Sequence, residues 1–329
     1  MASAAGIKTR ICMISDTHTT SPYPPLSKNH VYRNPLPKAD VLLHAGDLTK
    51  VGYRTEHEET VSMLKAADAE LKLVIAGNHD ITLDEEHFLR AGYKRHRKTE
   101  YFGSKDIPLK KDEASRLAAI RDGTTPPTSE MQTYVRDIID LYTNESAYAA
   151  GIRYLDEGIH TFTLSTGAKF TVYASPYQPE FFGWAFAYPR NQDRFNPPTP
   201  RLQSPHATKP GILDWVGRDG DRRVGCEHLL RASERARPRL YVFGHIHEGW
   251  GAVRGTYNMY ADRGIKQEKV PTDPEEMLEN RGAYYDVSSG SNRPLKFGDE
   301  TLFVNASIVD IAYQPINAPW IVDIDLPRG

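Results

Sequence analysis

Ile7-Lys8-Thr9-Arg10-Ile11-Cys12-Met13-Ile14 runs directly into Ser15-Asp16-Thr17-His18, a short apolar stretch that delivers polar side chains at its carboxyl end. Such a run reads as a buried strand. The same arrangement recurs three times. Residues 39–44 lead into Gly46-Asp47, residues 71–75 into Gly77-Asn78-His79-Asp80, and residues 240–243 into Gly244-His245-Ile246-His247. Four strands thus each end in glycine or serine beside side chains able to hold a metal. Between the second and third, Val61, Leu64 and Ala67 share one helical face within residues 56–71, the pattern of a crossover helix in a βαβ unit.

Working outward, residues 161–164 and 170–173 read as a hairpin around Ser165-Thr166-Gly167-Ala168, and residues 301–311 and 320–324 as a last strand pair. The sheet content is therefore mixed rather than purely parallel. Residues 129–142 put Met131, Tyr134, Val135, Ile138, Ile139 and Tyr142 on one face behind Ser129 as N-cap, an amphipathic helix that should pack on a sheet. Three segments, at about 94–128, 191–210 and 255–300, carry the Gly, Pro and polar content of long surface excursions. No internal repeat interrupts this pattern, so the expectation is one layered domain over residues 7–329.

The 329 residues include 39% hydrophobic and 26% charged side chains, which supports a sizeable core and excludes global disorder. With 41 basic and 43 acidic residues the formal charge is -2, which argues against a partner such as duplex nucleic acid or a membrane surface. No signal-type or bilayer-spanning apolar run occurs, so a cytoplasmic location is expected. The two cysteines, Cys12 and Cys226, are too few for a disulfide framework or a thiolate metal site.

Chemistry concentrates in Asp16, His18, Asp47, Asn78, His206, His245 and His247, all but His206 at a strand end. This is a nitrogen and oxygen donor set without sulfur, suited to Mn, Fe or Zn. Seven donors exceed the needs of one ion and suffice for two that share a carboxylate. A metal pair about 4 Å apart can activate water and clamp a transferring phosphoryl group, which points to phosphoester hydrolysis. His44 alternates to the other face of its strand and reads as a hydrogen-bonded core histidine. His30, His57, His87, His160 and His228 have no companion at ligand spacing. The basic run 94–98 reads as a solvated face, and Trp184, Phe186, Tyr188 and Trp250 as core or rim packing.

Taken in order, Asp16-x-His18, Gly46-Asp47, Gly77-Asn78-His79-Asp80 and Gly244-His245-x-His247 resemble the motifs of the calcineurin-like metallophosphoesterases. Ser175-Pro176, Gly183-Trp184-Ala185-Phe186, Ile212-Leu213-Asp214-Trp215, Val224-Gly225-Cys226, Asn305-Ala306-Ser307 and the run from His247 to Gly251 resemble the metallophosphoesterase domain-containing branch. The resemblance implies an α/β fold, a four-layer αββα sandwich of two mixed sheets flanked by helices. It implies that Asp16, His18 and His247 hold one metal, that Asn78, His206 and His245 hold the other, and that Asp47 bridges them. His79 would face the scissile phosphate, where as an imidazolium it would stabilise developing charge or protonate the leaving oxygen, with Asp80 orienting it. The proline-rich 191–205 is a poor strand before His206, although the spacing from His206 to Gly211 fits the family. The implied cofactors are two divalent or mixed-valence ions and the implied partner is a small phosphoester, nucleotides included. The expected activity is a phosphodiesterase; the alternatives are a phosphomonoesterase on a small metabolite and a metal-binding scaffold with weak turnover.

Overall fold

A computed structural model describes residues 6–93, 115, 127–197, 211–217, 222–257 and 264–329. Three parallel neighbours, β1 (Ile7–Ile14), β2 (Ala39–Ala45) and β3 (Ala69–Ile75), form the middle of a six-stranded sheet. Strand β4 (Ile152–Tyr154) adds in parallel to β3. Because side chains alternate along a strand, Ile11, Met13, Val41, Leu71 and Leu73 line one face, while Ile14, Leu42 and Val74 line the other. The second face is covered by α1 (Arg54–Ala66) through Val61 and Leu64, and by α2 (Pro127–Thr143) through Met131, Tyr134, Val135 and Ile138.

The hairpin β5 (Gly158–Thr163) and β6 (Lys169–Ala174) pairs as expected, Thr161 opposite Thr171. The first face packs on a second sheet built from β7 (Leu240–Phe243), β8 (Gly251–Tyr257), β9 (Ile265–Lys269) and β11 (Glu300–Asn305). Ala252, Leu302 and Val304 face inward to the first sheet, whereas Val253 and Phe303 face out under Leu230 of α3 (Glu227–Ala236). Helix, sheet, sheet and helix follow one another, which is the expected αββα layering. Among the described residues no helix is long and apolar enough to cross a membrane.

Two sequence expectations fail here. Residues 301–311 and 320–324 do not pair: β11 belongs to the second sheet, and β12 (Trp320–Leu326) runs antiparallel to β1 in the first. The apolar run continues past β11 because Ala306, Ile308 and Val309 are buried where the chain crosses between the sheets. Ile308 N donates to Ser15 O at 2.9 Å there, outside any strand. Nor is 255–300 simply an excursion. Its described part holds β9, α4 (Pro274–Asn280) and β10 (Ala283–Asp286), and β10 pairs in parallel with β12. The polar Lys266-Gln267-Glu268-Lys269 forms a strand that is paired on one side only among the described residues, and it shows no apolar alternation to read. The excursion 94–128 lies almost wholly outside the described residues, as does the end of 191–210.

The β2–α1 connection carries part of the site and is fixed by Glu56. Its buried carboxylate accepts from Val51 N at 3.1 Å and Tyr53 N at 3.0 Å, while Oε1 has no partner among the described residues. Burial pushes this carboxyl up to about 7. An acid whose folded pKa is raised stabilises fully below its unfolded value, and that contribution is lost as pH climbs through the folded value. The metal-free protein should therefore lose up to about 3 kcal/mol of unfolding free energy between pH 4.5 and 7 from this group. Glu56→Gln should flatten that slope in urea titrations, and an unchanged slope would refute the assignment.

Candidate metal centre

The carboxyl ends of β1, β2 and β3 meet the carboxyl end of β7 where the two sheets abut. The loops that leave these ends are strained: Asp16, His18, Thr19, Asp47 and His245 adopt positive φ of 51°, 42°, 66°, 52° and 71°. Left-handed backbone at non-glycine residues costs on the order of 1–3 kcal/mol each and survives only where neighbours impose it. Here Asp16 N donates to Gly46 O, His18 N to Asp47 O and Thr19 N to Leu48 O, at 2.8–3.0 Å. Glycine is required at two contacts. A Cβ on Gly77 would stand 2.2 Å from Asp47 N, and one on Gly244 would stand 2.0 Å from Asp16 Oδ2. Small residues at these strand ends thus let two carboxylates press against neighbouring backbone.

Three histidines are held by their outer nitrogens. His18 Nδ1 lies 3.0 Å from Thr49 O, His247 Nδ1 3.0 Å from Asp310 O and His79 Nδ1 2.7 Å from Lys50 O. A carbonyl can only accept, so each neutral ring carries its proton on Nδ1 and keeps a lone pair on Nε2. His18 Nε2 and His247 Nε2 then face each other at 3.3 Å. Asp16 Oδ1 is 3.4 Å from the second and Asp47 Oδ2 3.9 Å from the first. Two ring nitrogens converging between two buried carboxylates place four ligand atoms around one small space, a donor set that a cation satisfies. On the other side His245 Nδ1 lies 2.7 Å from Asn78 Oδ1, and its backbone N–H donates to Asp16 at 2.9 Å.

The electrostatics agree. Burial, with Asp16 and Asp80 nearby, raises the Asp47 carboxyl well above its ordinary range. Burial acts the same way on Asp16, but His247, His18 and the Ser15 hydroxyl outweigh it and hold that carboxyl low. Burial lowers His18 and His245, and pushes His79 down to about 3. His247 rises against its burial because it pairs with Asp16. Burial thus favours neutral His18, His79 and His245, whereas the raised Asp47 and His247 must each give up a proton to bind an ion, so metal uptake is coupled to proton release.

Asp16, His18, Asp47, Asn78, His245 and His247 are thus brought together, and His206 lies outside the described residues. His79 joins them, its ring 4.6 Å from His18. Asp80 departs from its expected contact. Its carboxylate accepts from Leu48 N, Thr49 N, Thr49 Oγ1 and Gly77 N at 2.7–3.1 Å, so it braces two loops, and Lys50 O anchors the ring of His79 instead. His44 is buried, with Nε2 2.9 Å from Thr17 Oγ1, and His57 is buried between Tyr142 and Thr82. Two neighbours were not legible as part of the site. Trp184 stacks on His79 at 4.0 Å and 24°, and Tyr313 packs against three of the histidines.

The sequence pattern of the calcineurin-like phosphoesterases matches residues 9–249, from β1 through the His245-x-His247 loop. The chain belongs to this family. It is 29% identical over 327 residues to metallophosphoesterase domain-containing protein 1 of Homo sapiens, covering 98% of this chain and 72% of that relative. The Mus musculus protein of the same name matches equally. A UPF0046 protein of Caenorhabditis elegans is 32% identical over 249 residues, 74% of this chain and 54% of its own length. Calcineurin-like phosphoesterases hydrolyse phosphoesters with metal ions. In this phosphoesterase the buried cradle between His18, His247, Asp16 and Asp47 fits such an ion by donor type and by the closeness of its ligand atoms.

Proposed function

We propose that this chain is a dinuclear phosphoesterase acting as a phosphodiesterase on a small cytoplasmic phosphoester, a nucleotide being one candidate. The observation that carries the reading is the facing pair of Nε2 lone pairs on His18 and His247, set between Asp16 and Asp47. In this reading Asp16, His18 and His247 hold the first ion, Asn78, His206 and His245 hold the second, and Asp47 bridges. Mn, Fe or Zn at those positions supplies activation of a water nucleophile and neutralises charge on the transferring phosphoryl group.

The chain's own residues do the rest. Backbone strain at Asp16, Asp47 and His245 is built in before substrate arrives, so no reorganisation is needed at the reacting centre. Lys50 O and the face of Trp184 hold the His79 ring in one orientation; once Nε2 takes up a proton, the resulting imidazolium stabilises developing charge or protonates the leaving oxygen. Asp80 keeps the Leu48–Thr49 backbone, and through it the Lys50 carbonyl, in place. The diester preference follows the branch whose motifs the chain resembles.

Elemental analysis combined with assays of bis-p-nitrophenyl phosphate and p-nitrophenyl phosphate under added Mn²⁺ tests the reading. Two ions per chain with faster diester cleavage are expected. Faster monoester cleavage would replace the diesterase by a phosphomonoesterase, and one ion with no turnover would leave a metal-binding scaffold. His79→Ala should retain both ions and lose about 10²-fold or more in kcat. Full activity, or loss of the ions, would remove His79 from its role as proton donor.

A further inference from the structure

Metal ligation and proton transfer leave two aromatic rings beside the site without a task. Tyr313 packs edge-on against the site histidines, with centroids 4.8 Å from His18, 5.5 Å from His247 and 6.2 Å from His79. It nevertheless stays 38% exposed. Its backbone sits at φ 60°, a region an aromatic residue enters only where the surroundings force it. The force comes from Asp310. The Asp310 carboxylate accepts from Ala312 N and Gln314 N at 2.9 and 2.8 Å, and its carbonyl accepts from Tyr313 N at 2.9 Å. That same carbonyl fixes the ring of His247, so one strained turn sets a metal-site histidine and presents an aromatic face beside it.

Phe181 occupies the corresponding position on the His245 side, 5.4 Å away and edge-on at 85°. It is 45% exposed and rests on Phe182, which is more exposed still. A phosphate group needs charge and hydrogen bonds rather than apolar walls. Solvent-exposed rings held next to both halves of the site are suited to stack on a flat group attached to that phosphate.

Resting on the phosphoesterase reading above, we propose that Tyr313 and Phe181 make this site selective for phosphoesters carrying a flat aromatic group, which lies against the Tyr313 ring. The test is calorimetric binding of phenylphosphonate and methylphosphonate to the Mn²⁺-loaded protein; their P–C bonds survive the enzyme, so binding is read without turnover. Phenylphosphonate should bind at least fivefold tighter in the wild type. Tyr313→Asn tolerates the left-handed backbone and removes the ring; it should bring the ratio to within about twofold, with metal content retained. Phe181→Leu should narrow the ratio independently, and Tyr313→Phe should preserve it. Equal binding by the wild type, or a ratio untouched in both Tyr313→Asn and Phe181→Leu, overturns this proposal alone. Failure of both phosphonates to bind overturns the phosphoesterase reading with it.

Discussion

Asp47→Asn is expected to release metal and to reduce turnover by on the order of 10³-fold, the loss that follows when several kcal/mol of metal-derived transition-state stabilisation disappears at 1.36 kcal/mol per decade. Asp47 lies 3.9 Å from His18 Nε2 and also accepts from His79 N at 2.8 Å. An amide there offers one neutral oxygen, and if that oxygen stays on His79 N its NH₂ group points into the cradle. The metal-free protein should behave oppositely. Burial and the neighbouring Asp16 make an ionised Asp47 unfavourable without a counter-ion, so above neutral pH the chelated D47N variant should be at least as stable as chelated wild type. Thermal melts with and without Mn²⁺ separate the two effects, because an ion that binds only the folded state raises its stability in proportion to occupancy. A variant that keeps two ions and more than a tenth of wild-type kcat would remove Asp47 from the bridging position.

Asp80→Ala should cost about 3–4 kcal/mol of stability, the largest effect expected from a residue that need not touch substrate. Its carboxylate receives three backbone N–H groups and one hydroxyl at 2.7–3.1 Å in a fully buried setting, and alanine leaves the three N–H groups unpaired, while the Thr49 hydroxyl keeps only the His79 carbonyl at 3.4 Å. Asp80→Asn retains some acceptor capacity and should cost about 1–2 kcal/mol. Both should lower kcat as well, since the Leu48–Thr49 segment precedes the carbonyl that anchors His79. Urea unfolding of the metal-free variants provides the measurement. If Asp80→Ala stays within about 0.5 kcal/mol of wild type while the His79 ring resonances move, Asp80 orients the ring rather than bracing the loops.

The site was legible to different degrees, and the reason differs by residue. Asp16, His18, Asp47, Asn78, His245 and His247 could be read because each follows a short apolar strand, and parallel strands bring their carboxyl ends to one edge. His79 was legible beside them, but its anchor was not. Lys50 O, Thr49 O and Asp310 O are backbone atoms, and every residue offers the same carbonyl whatever its side chain. Asp80 was legible through the resemblance as the residue that orients His79, but its contacts were not, because its partners Leu48 N, Thr49 N and Gly77 N are backbone atoms. In the turn after β3 the Asp80 carboxylate points back to the loop that follows β2.

The same distinction runs through the fold. Hydrophobic periodicity, a local property, was sufficient for β1 to β3, the crossover helix, the β5–β6 hairpin and the amphipathic α2. It could not show that β11 and β12 go to different sheets, because the apolar residues 306–309 are buried by the crossing between sheets and not by a ladder. Nor could it find β9, a strand with no apolar face to repeat. The sequence by itself thus determined that polar side chains with nitrogen and oxygen donors follow apolar strands and that those strands deliver them to one edge. Only the tertiary structure decided that Tyr313, 295 positions after His18, stands 4.8 Å from its ring, because that contact depends on the β11–β12 connection crossing the carboxyl end of β1 and no local pattern encodes it.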